Sequence, residues 1–172
     1  MSSPRSEISP GYSIRKVQDR DLDRIAAIAR QAWVPIHKSF AKIMGESLHQ
    51  VLYPDWEATK ADQVRRHAIN YPDWVYVVES DESSEVVAFV TFRIDTNTSV
   101  GTIGNNAVSK EVQGKGFGTA MYKYVLDRFR EMGMKFAEVT TGLDEGHAPA
   151  RRAYEKAGFD RTRETVTFYK YL

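Results

Sequence analysis

The residues best placed to do chemistry form one short run, Val108-Ser109-Lys110-Glu111-Val112-Gln113-Gly114-Lys115-Gly116-Phe117-Gly118-Thr119. An apolar, strand-like segment ends in Ala107-Val108 before it, and an amphipathic run continues to Gly133 after it. A strand feeding a glycine-rich loop that opens a helix is a recurrent anion-binding construction. The first N–H groups of a helix have no intrahelical acceptor, and the helix dipole adds partial positive charge at that end. Glycine removes the Cβ atoms that would hold an anion at a distance. Alternating Gly114, Gly116 and Gly118 let the backbone curl around a diphosphate, and Lys115 adds a charge.

Three glycine patterns compete for this loop. A P-loop needs G-x-x-x-x-G-K-[ST]; here the Gly-Lys pair is followed by glycine, and no glycine lies five residues before Gly114. The dinucleotide fingerprint G-x-G-x-x-G does not fit this spacing either. The pattern Q/R-x-x-G-x-G/A fits as Gln113, Gly116 and Gly118.

Composition excludes several other chemistries. The chain has 172 residues, 42% hydrophobic and 27% charged, as suits one ordinary globular domain. A net charge of +1 gives no nucleic-acid footprint. Without cysteine there is no disulfide, thiolate zinc site or cysteine nucleophile. His37, His49, His67 and His147 lack metal-ligand spacing. No run reaches the roughly 18 apolar residues of a membrane span. The expectation is a cytoplasmic protein with no metal and no nucleic-acid or membrane partner. Residues 1–11, rich in Ser and Pro, are expected to be a flexible tail ahead of one domain over 12–172.

The positioning elements follow from period and punctuation. Tyr12 to Val17 reads as a strand. Leu22 to Trp33 reads as an amphipathic helix that Pro35 breaks. A second helical region over Ser47 to Asn70 is interrupted near Pro54. Strands over Trp74–Glu79, Val86–Ile94 and Val100–Val108 are joined by short polar turns, an antiparallel meander. Gly116 to Met132 is a helix stopped by Gly133, and Lys135–Thr141 is a strand parallel to the one before that helix. Pro149 opens a helix that Gly158 closes, and Arg163–Leu172 is expected as a closing strand. The order is β-α-α-β-β-β-α-β-α-β, an α/β (α+β) chain.

At this point the sequence resembles the GNAT (Gcn5-related N-acetyltransferase) superfamily. Asn106-Ala107-Val108 with Gln113-Gly114-Lys115-Gly116-Phe117-Gly118 is similar to the family's acetyl-CoA motif. Ala150-Arg151-Arg152-Ala153-Tyr154-Glu155-Lys156-Ala157-Gly158-Phe159 is similar to its A-x-x-x-Y-E-K-x-G-F signature. Ile14-Arg15-Lys16-Val17 with Asp21-Leu22 resembles its first strand and helix. One departure stands out: many members carry asparagine three residues before the Ala150 position, where this chain has His147. Histidine is a poorer cap, and Asp144 would serve if the helix began earlier.

The resemblance implies a mixed, mostly antiparallel sheet of six to seven strands with a central splay, flanked by about four helices. It implies acetyl-CoA as co-substrate. Backbone N–H groups from Gln113 to Thr119 would hold the diphosphate, and Asn106, Ala107 and Val108 would pair with the pantetheine arm. A bulge is expected near Asn105 to Ala107, with the Val108 amide stabilising the oxyanion, and His147 is expected against the cofactor arm. Tyr154 is the expected general acid for the departing thiolate. The base is left among Glu138, Asp144, Glu145 and His147. Trp33, Ile36 and Phe40 are expected to wall the acceptor site, while Arg151 and Arg152 are expected in solvent. The implied reaction is acetyl transfer to a primary amine by direct attack through a tetrahedral intermediate, on a small-molecule or peptide acceptor. A homodimer is compatible with the family. The rival is a non-catalytic acyl-CoA-binding sensor or interaction module, which would keep Gln113 to Gly118 and need not keep Tyr154.

Overall fold

A computed structural model describes residues 5–172. Its centre is a six-stranded sheet in sequential order: β1 (Ser6–Ser9), β2 (Tyr12–Lys16), β3 (Val75–Ser80), β4 (Val86–Asp95), β5 (Val100–Val108) and β6 (Phe136–Val139). The first five strands pair antiparallel. Among the described residues only β5 and β6 are parallel, as the crossover between them requires. The described residues also form five helices: α1 (Leu22–Met44), α2 (Glu46–Leu52), α3 (Trp56–Asn70), α4 (Phe117–Glu131) and α5 (Ala148–Ala157), with α2 packed on α1. This is the mixed α/β fold with one curled sheet that the sequence implies.

Alternation along the strands splits the core in two. Val90, Phe92 and Ile103 pack with Met121, Val125 and Phe129 of α4 and with Tyr154 of α5. Val77, Phe89 and Ala107 pack with Ile25, Ile28 and Ala29 of α1 and with Val64 and Ala68 of α3. Arg15 is 3% exposed and donates to Asp21 at the start of α1 and to Glu79 on β3. The two carboxylates outweigh the cost of its burial and hold its guanidinium above the usual value.

Three sequence expectations are corrected. Helix α1 runs through Pro35. The N–H that proline lacks would have bonded the carbonyl of Gln31; both residues are exposed, while Ile28, Ala29 and Ile36 are buried on either side. Packing thus outweighs the loss of one solvent-side hydrogen bond. Within the stretch 1–11 expected to be a flexible tail, Ser6–Ser9 forms β1 against β2; residues 1–4 lie outside those described. Residues 163–172 form no strand and are exposed throughout. Their β-prone composition is a demand for a ladder, and no strand among the described residues pairs with them; Tyr171 instead donates its hydroxyl to the Met44 carbonyl at 3.1 Å.

Candidate active site

The site begins where β5 and β6 part. Their ladder covers Val100 to Ile103 of β5 and stops at Val139 of β6, so Gly104 to Val108 have no neighbour on that side. Opposite β4, Val90 faces Asn106 and Phe92 faces Ile103, so Gly104 and Asn105 together face Thr91. This bulge adjoins and overlaps the stretch expected from sequence. A side chain at Gly104 would meet Thr91 Oγ1 at 2.7 Å, which accounts for the glycine. Past the bulge, the Ser109 amide donates to the Val87 carbonyl at 2.7 Å. Antiparallel ladders alternate, so the amides of Val108 and Asn106 point away from β4, into the gap.

The glycine loop lies at the end of that edge. Gln113 Nε2 donates to the Val108 carbonyl at 3.1 Å, tying loop to strand. Gly114 (φ 79°) and Gly116 (φ 88°) both take the left-handed conformation, and Gly116 is the N-cap of α4. A Cβ at either position would meet nothing within 4 Å, so the space above these amides is open. Lys115 is exposed, Phe117 is buried against Tyr12, and Gly118 fits beneath Ala153 and Tyr122. Phe117 and Ala107 can therefore offer a ligand only backbone, their side chains being core.

Three polar groups meet on the α4/α5 side of the gap. Tyr122 donates its hydroxyl to Asn106 Oδ1 at 2.6 Å, and Asn106 Nδ2 donates to the Tyr154 hydroxyl at 3.0 Å and to the Gly104 carbonyl at 3.0 Å. The two tyrosine rings lie 4.6 Å apart. Burial pushes the Tyr154 phenol above its usual range, against a smaller opposing effect of Asn106 and Tyr122. Tyr154 therefore keeps its proton at neutral pH, and that proton is not engaged by Asn106.

The α1/α3 side carries imidazoles and aromatic rings. His37 is stacked on Trp56 at 4.1 Å and its Nδ1 lies 3.0 Å from His49 Nε2. Two imidazoliums cannot share a hydrogen bond, so at least one ring is neutral. Burial, and then the charges of His49, Lys60 and His147, push His37 down to about 4. The unfolded chain, with a histidine near 6.5, takes up a proton that the fold refuses, so stability present above pH 6.5 is lost as pH falls toward 4. Between pH 7 and pH 5, denaturant titration should show the wild type losing about 1–2 kcal/mol more than His37→Gln; parallel losses would refute this.

Trp33, Ile36 and Phe40, the residues expected to wall the acceptor, lie on this α1/α3 side. Trp33 lies under Lys60 Nζ at 4.4 Å, and Phe40 packs against His37, Tyr53 and His147. Ile36 is buried, with its backbone against Gly146, so it holds α1 to the loop before α5. His147 lies on this same side. Its Nδ1 is 2.6 Å from Asp144 Oδ1, and neither residue makes a side-chain cap bond. Burial pushes the Asp144 carboxyl up, but His147 and the hydrogen bonds from Ser39 and the backbone together outweigh it, and the net direction is downward. A correction concerns Arg151: its Nη1 donates to the carbonyls of Gly142 (2.6 Å) and Asp144 (2.8 Å), fastening the β6–α5 loop, whereas Arg152 is exposed as expected. Sequence reasoning also missed Tyr122, Lys60 and Asn105; only the helical spacing of Tyr122 with Met121 and Val125 marked it, as core.

The match to the acetyltransferase (GNAT) family covers residues 41–159, which include the open edge, the glycine loop and Tyr154. The chain belongs to that family. It is 27% identical to mycothiol acetyltransferase of Sanguibacter keddieii over 96% of its own length, and it spans about half (48%) of that relative. Its fold is similar to the PaiA N-acetyltransferase of Thermoplasma acidophilum in complex with coenzyme A, with a TM-score of 0.66, 15% identity, and 87% and 89% of the two chains covered. It is also similar to an acetyltransferase of Clostridium acetobutylicum with acetyl-CoA, with a TM-score of 0.58, 16% identity, and 92% and 96% covered. Among the described residues of this GNAT chain, no cluster of His, Asp and Glu could hold a metal ion, and no helix is long and apolar enough to cross a membrane.

Proposed function

We propose that this GNAT protein transfers the acetyl group of acetyl-CoA to a primary amine by direct attack. The observation that carries this is the free edge of β5. The outward amides of Asn106 and Val108 continue into a loop whose glycines leave open space above the start of α4. The pantetheine arm would extend along that edge as an added strand, with the diphosphate on the amides of Gln113 to Thr119. The amine nitrogen bonds the thioester carbon, and the oxygen charge that develops is met by the Val108 amide. The C–S bond then breaks, and the thiolate takes the phenolic proton of Tyr154.

The amine must also lose a proton, since alkylamines are charged at neutral pH. Of the four candidates, Glu138 is exposed and takes a hydrogen bond from Thr102, Glu145 faces solvent beside Lys42, and Asp144 is engaged by His147. His147 combines a carboxylate behind one ring nitrogen with a second nitrogen for the acceptor, so we assign it the base role rather than the cofactor contact expected from its position in the motif. His147→Gln should lower kcat/KM about a hundredfold and flatten the acid limb of its pH profile; an unchanged profile would return the ring to a packing role. The assignment as a whole is tested by thiol release from acetyl-CoA with a panel of amines. Binding without turnover on any of them would favour the sensor module.

A further inference from the structure

A cleft of about 670 Å³ lies between α3 and strands β4 and β5, with the bulge residues Gly104 and Asn105 on its floor. Thr91 and His67 contribute to its lining, although Thr91 Oγ1 and His67 Nε2 are themselves closed off from it. The charges around the cleft have one predominant sign. Arg66 is tied to Asp62 at 2.7 Å, but Arg93 has no carboxylate within ion-pair distance among the described residues. Lys60 Nζ stands at the bulge, donating to Asn105 Oδ1 (3.1 Å) and Gln63 Oε1 (2.7 Å) above the Trp33 ring. It too has no carboxylate within 4.0 Å among the described residues, and burial pushes its ammonium below the usual value.

A half-buried cation balanced only by two amide oxygens and an aromatic face is a poor arrangement for an empty site and a good one for an anion. It is also next to Asn105, one residue from the amide that faces the gap, and close enough to His37 to lower its affinity for a proton. A group paired with Lys60 would therefore lie at the bulge that borders the gap. We propose that the acceptor is an amine bearing a carboxylate near its nitrogen, of the amino-acid class, with Lys60 holding the carboxylate and Arg93 drawing the anion into the cleft. This rests on the acetyl-transfer reading above.

The test compares amino acids with their decarboxylated counterparts, such as phenylalanine with phenethylamine and lysine with cadaverine, by kcat/KM for thiol release. The amino acid should be preferred by about thirtyfold or more, as for a charge-assisted hydrogen bond lost in the amine. Lys60→Met should bring the ratio toward one, and Lys60→Arg should restore part of it. Acetyl-CoA affinity measured on the same samples reports whether the variants are folded. Equal use of both members of each pair overturns the carboxylate while leaving acetyl transfer standing. No thiol release with any amine, despite bound acetyl-CoA, overturns both.

Discussion

Gly116→Asp should weaken coenzyme A binding about a thousandfold while the protein stays folded. The two halves of this result come from different facts. Gly116 has φ 88° at the N-cap of α4, where a residue with a Cβ is strained by about 1 kcal/mol, and aspartate tolerates that conformation better than most. Nothing lies within 4 Å of the added Cβ, so no packing is lost. The carboxylate instead stands in the open space above the first amides of the helix. A like charge set against a bound diphosphate costs several kcal/mol, which is the predicted thousandfold. Calorimetry with coenzyme A and a thermal melt on the same sample decide it. Micromolar affinity in a folded Gly116→Asp protein would mean that the diphosphate lies elsewhere.

Tyr154→Phe should lower kcat about a hundredfold and leave acetyl-CoA affinity within about threefold. The hydroxyl accepts from Asn106, a bond that does not use its own proton, while burial holds that proton in place at neutral pH. Removing it takes away the acid that meets the departing sulfur and little else. Asn106 Nδ2 retains the Gly104 carbonyl as acceptor, so no buried donor is orphaned and stability should change by about 1 kcal/mol. An unchanged kcat would make Tyr154 a core aromatic that happens to lie in the signature.

The parts of the site that depend on local rules were legible in the sequence. The glycine loop, Pro149 at the start of α5 and Gly158 at its end each follow from backbone conformations that only certain residues allow. The splay was readable because β5 carries two glycines, and one of them, Gly104, sits in the bulge. What stayed hidden depends on neighbours distant in sequence. Tyr122 reads as one more apolar residue of α4 until Asn106, 16 positions earlier, accepts its hydroxyl. Lys60 reads as part of a charged surface helix until Trp33 and Asn105 are brought beneath it. Pro35 misled because a local penalty was weighed without the buried residues around it. Residues 163–172 misled because a strand is a property of a pair.

Asn105 and Asn106 are consecutive, yet one reaches Lys60 on the α3 face and the other reaches Tyr154 on the α5 face. If the nucleophile arrives over the first and the thioester lies along the edge by the second, neither has to leave before the other can arrive. Initial velocities at varied concentrations of both should then give intersecting rather than parallel double-reciprocal lines. A single compound that joins coenzyme A to an amino acid through an acetyl bridge should act as a two-site inhibitor, competing with each.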